Sequence, residues 1–160
     1  MGRLHQAPAG GMNTKIVLLI EDNPSDERLT LRALRKNNIM NEVVVAYDGQ
    51  EGLDFLFGEG KFEDRKGSEP PALIILDLKL PKVSGVEVLR RIREDDRTRR
   101  LPVVVLTSSD DDSEVNTCYE LGANSYVRKP TDSAAFADMI LSLGMYWLLL
   151  NVPPPVMVRR

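Results

Sequence analysis

The sequence predicts an α/β fold in which a parallel sheet is covered by helices on both faces. Two observations carry this. Short apolar runs of strand length recur along the chain and are nearly continuous rather than alternating, as in strands buried on both faces. Each is followed by a cap residue or turn and then by apolar groups at helical spacing, with no repeat at a fixed residue period. Strict alternation of this kind requires right-handed crossovers from strand to strand.

Residues 15–20 (KIVLLI) form the first predicted strand. Asn23-Pro24 then supplies a cap and a proline at the first helical position, and Leu29, Ala33 and Leu34 carry the helix up to Asn37. Residues 42–46 (EVVVA) are the second strand; Asp48 caps the helix bearing Leu53, Leu56 and Phe57. Residues 58–71 (GEGKFEDRKGSEPP) are polar and rich in Gly and Pro, which predicts a surface loop longer than the usual connection of about two to six residues. Residues 72–77 (ALIILD) are the third strand, followed by a helix over 83–93 with Val86, Leu89 and Ile92 at spacings of three. The fourth pair is 102–107 with 110–121, and the fifth is 125–128 with 132–150.

Composition bounds the function. The chain has 160 residues, 42% hydrophobic and 28% charged, which suits one globular domain over 12–150. The 21 Lys and Arg against 24 Asp and Glu give a net charge of −3, with no global attraction for nucleic acid or anionic lipid. Cys118 is the single cysteine, so no internal disulfide can form, and no apolar run of signal-peptide type opens the chain. The expected compartment is the cytoplasm. The apolar stretch 145–150 falls short of the roughly 20 residues a membrane-spanning helix needs. Residues 1–11 are patternless and are assigned to a leader or disordered arm, and 151–160 to a C-terminal tail.

Ligands of such sheets bind at the carboxyl ends of the strands. Those positions hold Glu21 and Asp22 after the first strand, Asp77 closing the third, Thr107 closing the fourth and Lys129 after the fifth. Carboxylates brought together repel unless a cation keeps them ionised. Oxygen donors with no His or Cys nearby favour magnesium or manganese, and magnesium commonly completes its shell with phosphate oxygens. Lys129 offers a positive charge and Thr107 a hydroxyl to phosphoryl oxygens, and one carboxylate can act as nucleophile.

Glu21-Asp22, Asp77 with Leu80-Pro81 and Gly85 after it, Thr107-Ser108 and Lys129-Pro130 occur in this order, each at the end of its own predicted strand. In this the sequence resembles the receiver domains of bacterial two-component response regulators, over about residues 15–143. The resemblance implies a flavodoxin-like (βα)5 receiver fold, doubly wound, with a five-stranded parallel sheet in the order 2-1-3-4-5. It implies that Asp77 is the phosphoacceptor. It makes Asp22, Asp77 and the backbone carbonyl of Lys79 ligands to Mg2+ or Mn2+, with Glu21 acting through metal-bound water. Lys129 becomes the phosphate-pairing lysine with a cis bond to Pro130, and Thr107 and Tyr126 become a switch pair. The implied function is a stand-alone response regulator that catalyses only its own phosphorylation and dephosphorylation, with a histidine kinase as partner. The long loop and Trp147 further resemble regulators paired with phytochrome-type kinases. The haloacid-dehalogenase phosphatases share an aspartate nucleophile but need an acid two residues later, where this chain has Lys79.

Residues outside the motifs receive plainer readings. Arg90, Arg91, Arg93, Arg97, Arg99 and Arg100 are interrupted by Glu94, Asp95 and Asp96 and read as a solvated helix end rather than a nucleic-acid patch. Cys118 reads as packing. Phe136, Ile140, Leu143, Trp147 and Leu150 form a stripe that docks the last helix, whereas Met139, Met145, Tyr146, Leu148 and Leu149 widen the apolar surface beyond one face. That excess predicts a homodimer or partner contact through the C-terminal half, including 153–155. With about ten residues after Leu150 and no helix-turn-helix pattern in them, output is expected to pass through protein contact.

Overall fold

The computed structural model describes residues 3–5 and 15–155. The strands are β1 (Arg3–His5), β2 (Val17–Ile20), β3 (Val43–Ala46), β4 (Leu73–Leu76), β5 (Val103–Thr107) and β6 (Ser125–Arg128). The helices are α1 (Pro24–Lys36), α2 (Gly49–Phe57), α3 (Gly85–Glu94), α4 (Asp112–Glu120) and α5 (Ser133–Gly144). The sheet order is β1-β3-β2-β4-β5-β6. Its last five strands are mutually parallel, so counting only these the order is the expected 2-1-3-4-5.

Every residue of β2, β3, β4 and β5 is buried, and the pleat sends alternate side chains to opposite faces. Leu18, Ile20, Ile74, Leu76, Val103 and Val105 meet Leu53, Leu89, Ile92 and Cys118 from α2, α3 and α4. Val17, Leu19, Ile75, Val104 and Leu106 meet Ala33, Leu34, Phe136 and Ile140 from α1 and α5. Two core layers thus sandwich the sheet, and Cys118 is packing material within one of them.

The helix starts follow the sequence signals. Asn23 accepts hydrogen bonds from the Ser25 and Asp26 N–H groups with Pro24 behind it, and Asp48 accepts from Glu51 N–H. Ser84, Asp111 and Asp132 cap the remaining helices in the same way; such caps are worth about 1 kcal/mol each. At the start of α3, a Cβ on Gly85 would lie 2.2 Å from the Asp77 carbonyl oxygen and 2.5 Å from Leu78 Cα. Only a glycine lets α3 begin so close to the end of β4, where its N–H donates to Leu78 O at 2.8 Å.

Several expectations are modified. Arg3–His5, assigned from sequence to a leader or disordered arm, pairs antiparallel with Val43–Val45 at the sheet edge, in the register Arg3↔Val45. Three residues carry too little pattern to announce a strand; the rest of 1–11 and residues 156–160 lie outside the described residues. The long loop after α2 contains a 3-10 segment, Gly60–Arg65. The Arg65 guanidinium sits 3.9 Å from the Phe55 ring centroid, and Phe62 meets Phe55 edge to face.

The last helix changes pitch. Beyond α5 the chain winds on as a wider turn over Met145–Leu150, and Asn151 N–H donates to Tyr146 O. An i→i+5 turn rotates the following side chains relative to an α-helix. Leu150, expected in the docking stripe, is 69% exposed, and Met139 and Leu148, expected on the outer surface, pack against the core. Ser133–Leu150 as a whole spans 18 residues of mean hydropathy 1.5, enough by length and composition to cross a bilayer, which the stretch 145–150 alone is not. Phe136, Ile140 and Gly144 bury one side of it within the domain.

The arginines near the end of α3 are engaged locally. Arg90 pairs with Glu87 and Glu94, Arg97 with Asp95 and Arg99 with Asp96.

Candidate functional site: a carboxylate pocket at the strand ends

Four elements converge where the strands end. Glu21 and Asp22 directly follow β2, and Asp77 directly follows β4. These two strands are hydrogen-bonded neighbours with Ile20 opposite Leu76, so the acids arrive side by side. Oxygens of Glu21, Asp22 and Asp77 lie within 4.8 Å of one another. Glu21 and Asp77 are buried, at 2% and 8% exposure, while Asp22 is open to solvent.

Lys129, directly after β6, reaches across from the far side of the site. Its Nζ donates to Glu21 Oε1 at 2.7 Å, Asp26 Oδ2 at 2.9 Å and Asp77 Oδ2 at 3.2 Å. These ion pairs raise the lysine's pKa against the opposing effect of its burial. Burial, together with the adjoining Asp77 carboxylate, pushes the Glu21 carboxyl up to about 8, although Lys129 pulls it down. Three carboxylates with oxygens this close repel one another, and such a cluster of oxygen donors fits a hard divalent cation.

The other expected residues fall around this centre. Thr107 ends β5, the strand next to β4, and is fully buried; its Oγ1 accepts from Ser109 N–H at 3.3 Å. Its carbonyl accepts from Lys129 N–H at 2.8 Å, which ties the end of β5 to the residue after β6. Lys79 lies at the exposed rim, its N–H 3.4 Å from Asp77 Oδ1. Tyr126 lies in β6 opposite Val105. Its hydroxyl is shielded from solvent beside Ser109 without a well-formed hydrogen bond, and burial raises its pKa.

One expectation fails, because the Lys129–Pro130 bond is trans. The trans form is the intrinsic preference of X–Pro bonds by about 0.5–1 kcal/mol, and Lys129 reaches all three carboxylates with it.

Asp26 is a residue of the site that sequence reasoning missed. An acid in the first turn of a helix is adequately explained by the helix dipole, and nothing along the chain links it to a lysine 103 positions away.

Comparison with known proteins agrees with this geometry. Residues 17–141 match the response regulator receiver domain family. Response regulator Rcp1 of Synechocystis sp. is 37% identical over 134 residues, covering 84% of this chain and 89% of Rcp1. The crystal structure of the phosphorylated cyanobacterial phytochrome response regulator RcpA superposes with a TM-score of 0.83 at 34% identity, over 89% of this chain and 99% of that one. The bacteriophytochrome response regulator RtBRR is 48% identical, with a TM-score of 0.70 over 89% of this chain and 85% of its own. From strand order to acidic pocket, and in alignment over most of its length, the chain belongs to the response regulator receiver domain family.

Proposed function

We propose that this chain is a stand-alone phosphorylation switch in a two-component phosphorelay, with Asp77 accepting a phosphoryl group from a histidine kinase. The observation that carries the reading is the Lys129 ammonium bonded to a buried Asp77 inside a cluster of carboxylates. An Asp77 oxygen attacks phosphorus, the P–N bond of the phosphohistidine breaks, and the imidazole nitrogen leaves with the electron pair and is then protonated. Hydrolysis reverses the state: water adds to phosphorus, the Asp77 carboxylate leaves, and the proton passes to solvent.

Asp22, Asp77 and the Lys79 carbonyl would hold Mg2+ or Mn2+, with Glu21 acting through water. Such an ion supplies neutralising charge to the phosphoryl oxygens. The chain's own contribution is placement: Lys129 receives one phosphoryl oxygen and the Thr107 hydroxyl turns from Ser109 N–H to another. Tyr126, whose hydroxyl is shielded from solvent and lacks a hydrogen-bond partner among the described residues, follows that movement, so the region of α4 and β6 registers the modification. The partner is read as a phytochrome-type kinase from the names of the similar regulators, and the setting as the cytoplasm. Output passes through protein contact, including a homodimer built on the exposed Met145, Tyr146, Leu149 and Leu150.

Incubation with acetyl phosphate and Mg2+, followed by intact-mass measurement, tests the acceptor. One added phosphoryl group is expected on the wild-type chain and none on Asp77→Asn. No adduct on the wild type, or an unchanged adduct on the variant, overturns the reading.

A further inference from the structure

We infer that Asp26 is a positioning residue for Lys129: it retains the ammonium at the pocket when a divalent cation claims the carboxylates that otherwise hold it. The inference rests on the proposed role of the pocket.

An ammonium has three N–H donors and no acceptor, and in this structure all three are spent on carboxylates: Glu21, Asp26 and Asp77. Glu21 and Asp77 also belong to the group whose oxygens cluster closely enough for a metal ion, and Asp26 does not. A cation, on Asp77 directly and on Glu21 through its bound water, therefore competes with the lysine for two of the three acceptors, and the third stands outside the competition. Asp26 is well placed for this. Its N–H is held by the Asn23 cap at 3.2 Å, and its carbonyl accepts from the Thr30 hydroxyl at 2.7 Å, so α1 fixes its backbone independently of the pocket. Lys129 is fixed at its own backbone by the bond to Thr107 O.

With Asp26 present, Lys129 can yield Glu21 and Asp77 to a cation while staying pinned, which frees donors for an incoming phosphoryl oxygen. Without it, the only acceptors left to the lysine are those the cation needs, and Lys129 becomes a competitor of the metal. Loss of Asp26 also removes a negative charge, which would weaken cation binding by itself, so the test must separate the two effects.

The experiment is a double-mutant cycle read by calorimetric titration with Mn2+ alone. Asp26→Ala is expected to raise the Mn2+ dissociation constant about fivefold when Lys129 is present, and by less than about twofold in a Lys129→Met background, a difference typical of directly coupled neighbours. Asp26→Asn, which keeps the side-chain shape, is expected to move the affinity in the same direction. An unchanged affinity in Asp26→Ala overturns the inference, as does an equal loss in both lysine backgrounds, which would mark a through-space charge effect. Because the cycle reads Mn2+ without any phosphodonor, its outcome is independent of whether Asp77 takes up a phosphoryl group.

Discussion

The Arg93 guanidinium donates to the carbonyls of Gly122, Arg99 and Leu101 and to Asn124 Oδ1. Asn124 Oδ1 also accepts from Val103 N–H at 2.7 Å, so the cluster joins the end of α3 to the turn before β6 and to the first residue of β5. From sequence, Arg93 belongs to a basic run and reads as solvated. Its neighbours Arg90, Arg97 and Arg99 do find acids nearby. Arg93 differs because its partners are mostly carbonyls 6 to 29 residues away, and a carbonyl leaves no trace in residue type. Arg93→Ala is expected to lose about 1.5–3 kcal/mol, the worth of charge-assisted hydrogen bonds left unmade. Urea unfolding should show a lower midpoint with an unchanged slope. Asp26 escaped for the same reason as Arg93: its partner is near only after folding. By contrast Glu21, Asp22, Asp77, Thr107 and Lys129 were legible because strand ends are legible, and parallel strands bring their ends together.

At the scale of elements, the strongly patterned pieces fall within two residues of expectation at nearly every end. β6 matches fully, and β2 and β4 are trimmed by one or two residues. What the pattern could not provide was β1, whose pairing is with a strand some 40 positions away. It also could not provide the wide turn at Met145–Leu150, where a change of helical pitch leaves apolar residues apolar while moving them to another face. The junction of β4 with α3 turns on Gly85. Gly85→Ala would drive a methyl into the Asp77 and Leu78 backbone, with an expected cost of about 1–3 kcal/mol for overpacking. Slowed phosphoryl uptake by Asp77 should accompany it, since the acceptor's own backbone must shift. Thermal unfolding and the acetyl phosphate reaction measured on the same sample would check both; a variant with wild-type Tm and rate contradicts the account.

Considered whole, the molecule buries two apolar layers around its sheet and leaves Tyr146 51%, Leu149 56% and Leu150 69% exposed at one end. An exposed patch of large apolar groups marks a contact surface. Tyr146→Asp with Leu149→Asp is expected to convert a concentration-dependent dimer to monomer in light scattering while the far-UV circular dichroism stays unchanged. A wild-type chain that is monomeric at high concentration sinks the dimer. Residues 153–155, expected to share that contact, also line a cavity with Lys15, Pro71 and Pro102 of their own chain, at the end of the sheet away from the carboxylates.

The two sides of the pocket also differ in how much of each is buried. On the Asp77 side, α3 begins in contact with the Asp77 backbone and sets Val88, Leu89 and Ile92 in the core. On the Thr107 side, α4 contributes one buried residue, Cys118, and no residue of β6 is fully buried. A phosphoryl group on Asp77, as proposed, would meet closely packed backbone on one side and half-exposed residues on the other. On the proposed reading Asp77 is expected to serve as a fixed anvil, with the displacement delivered in one direction, toward α4 and β6.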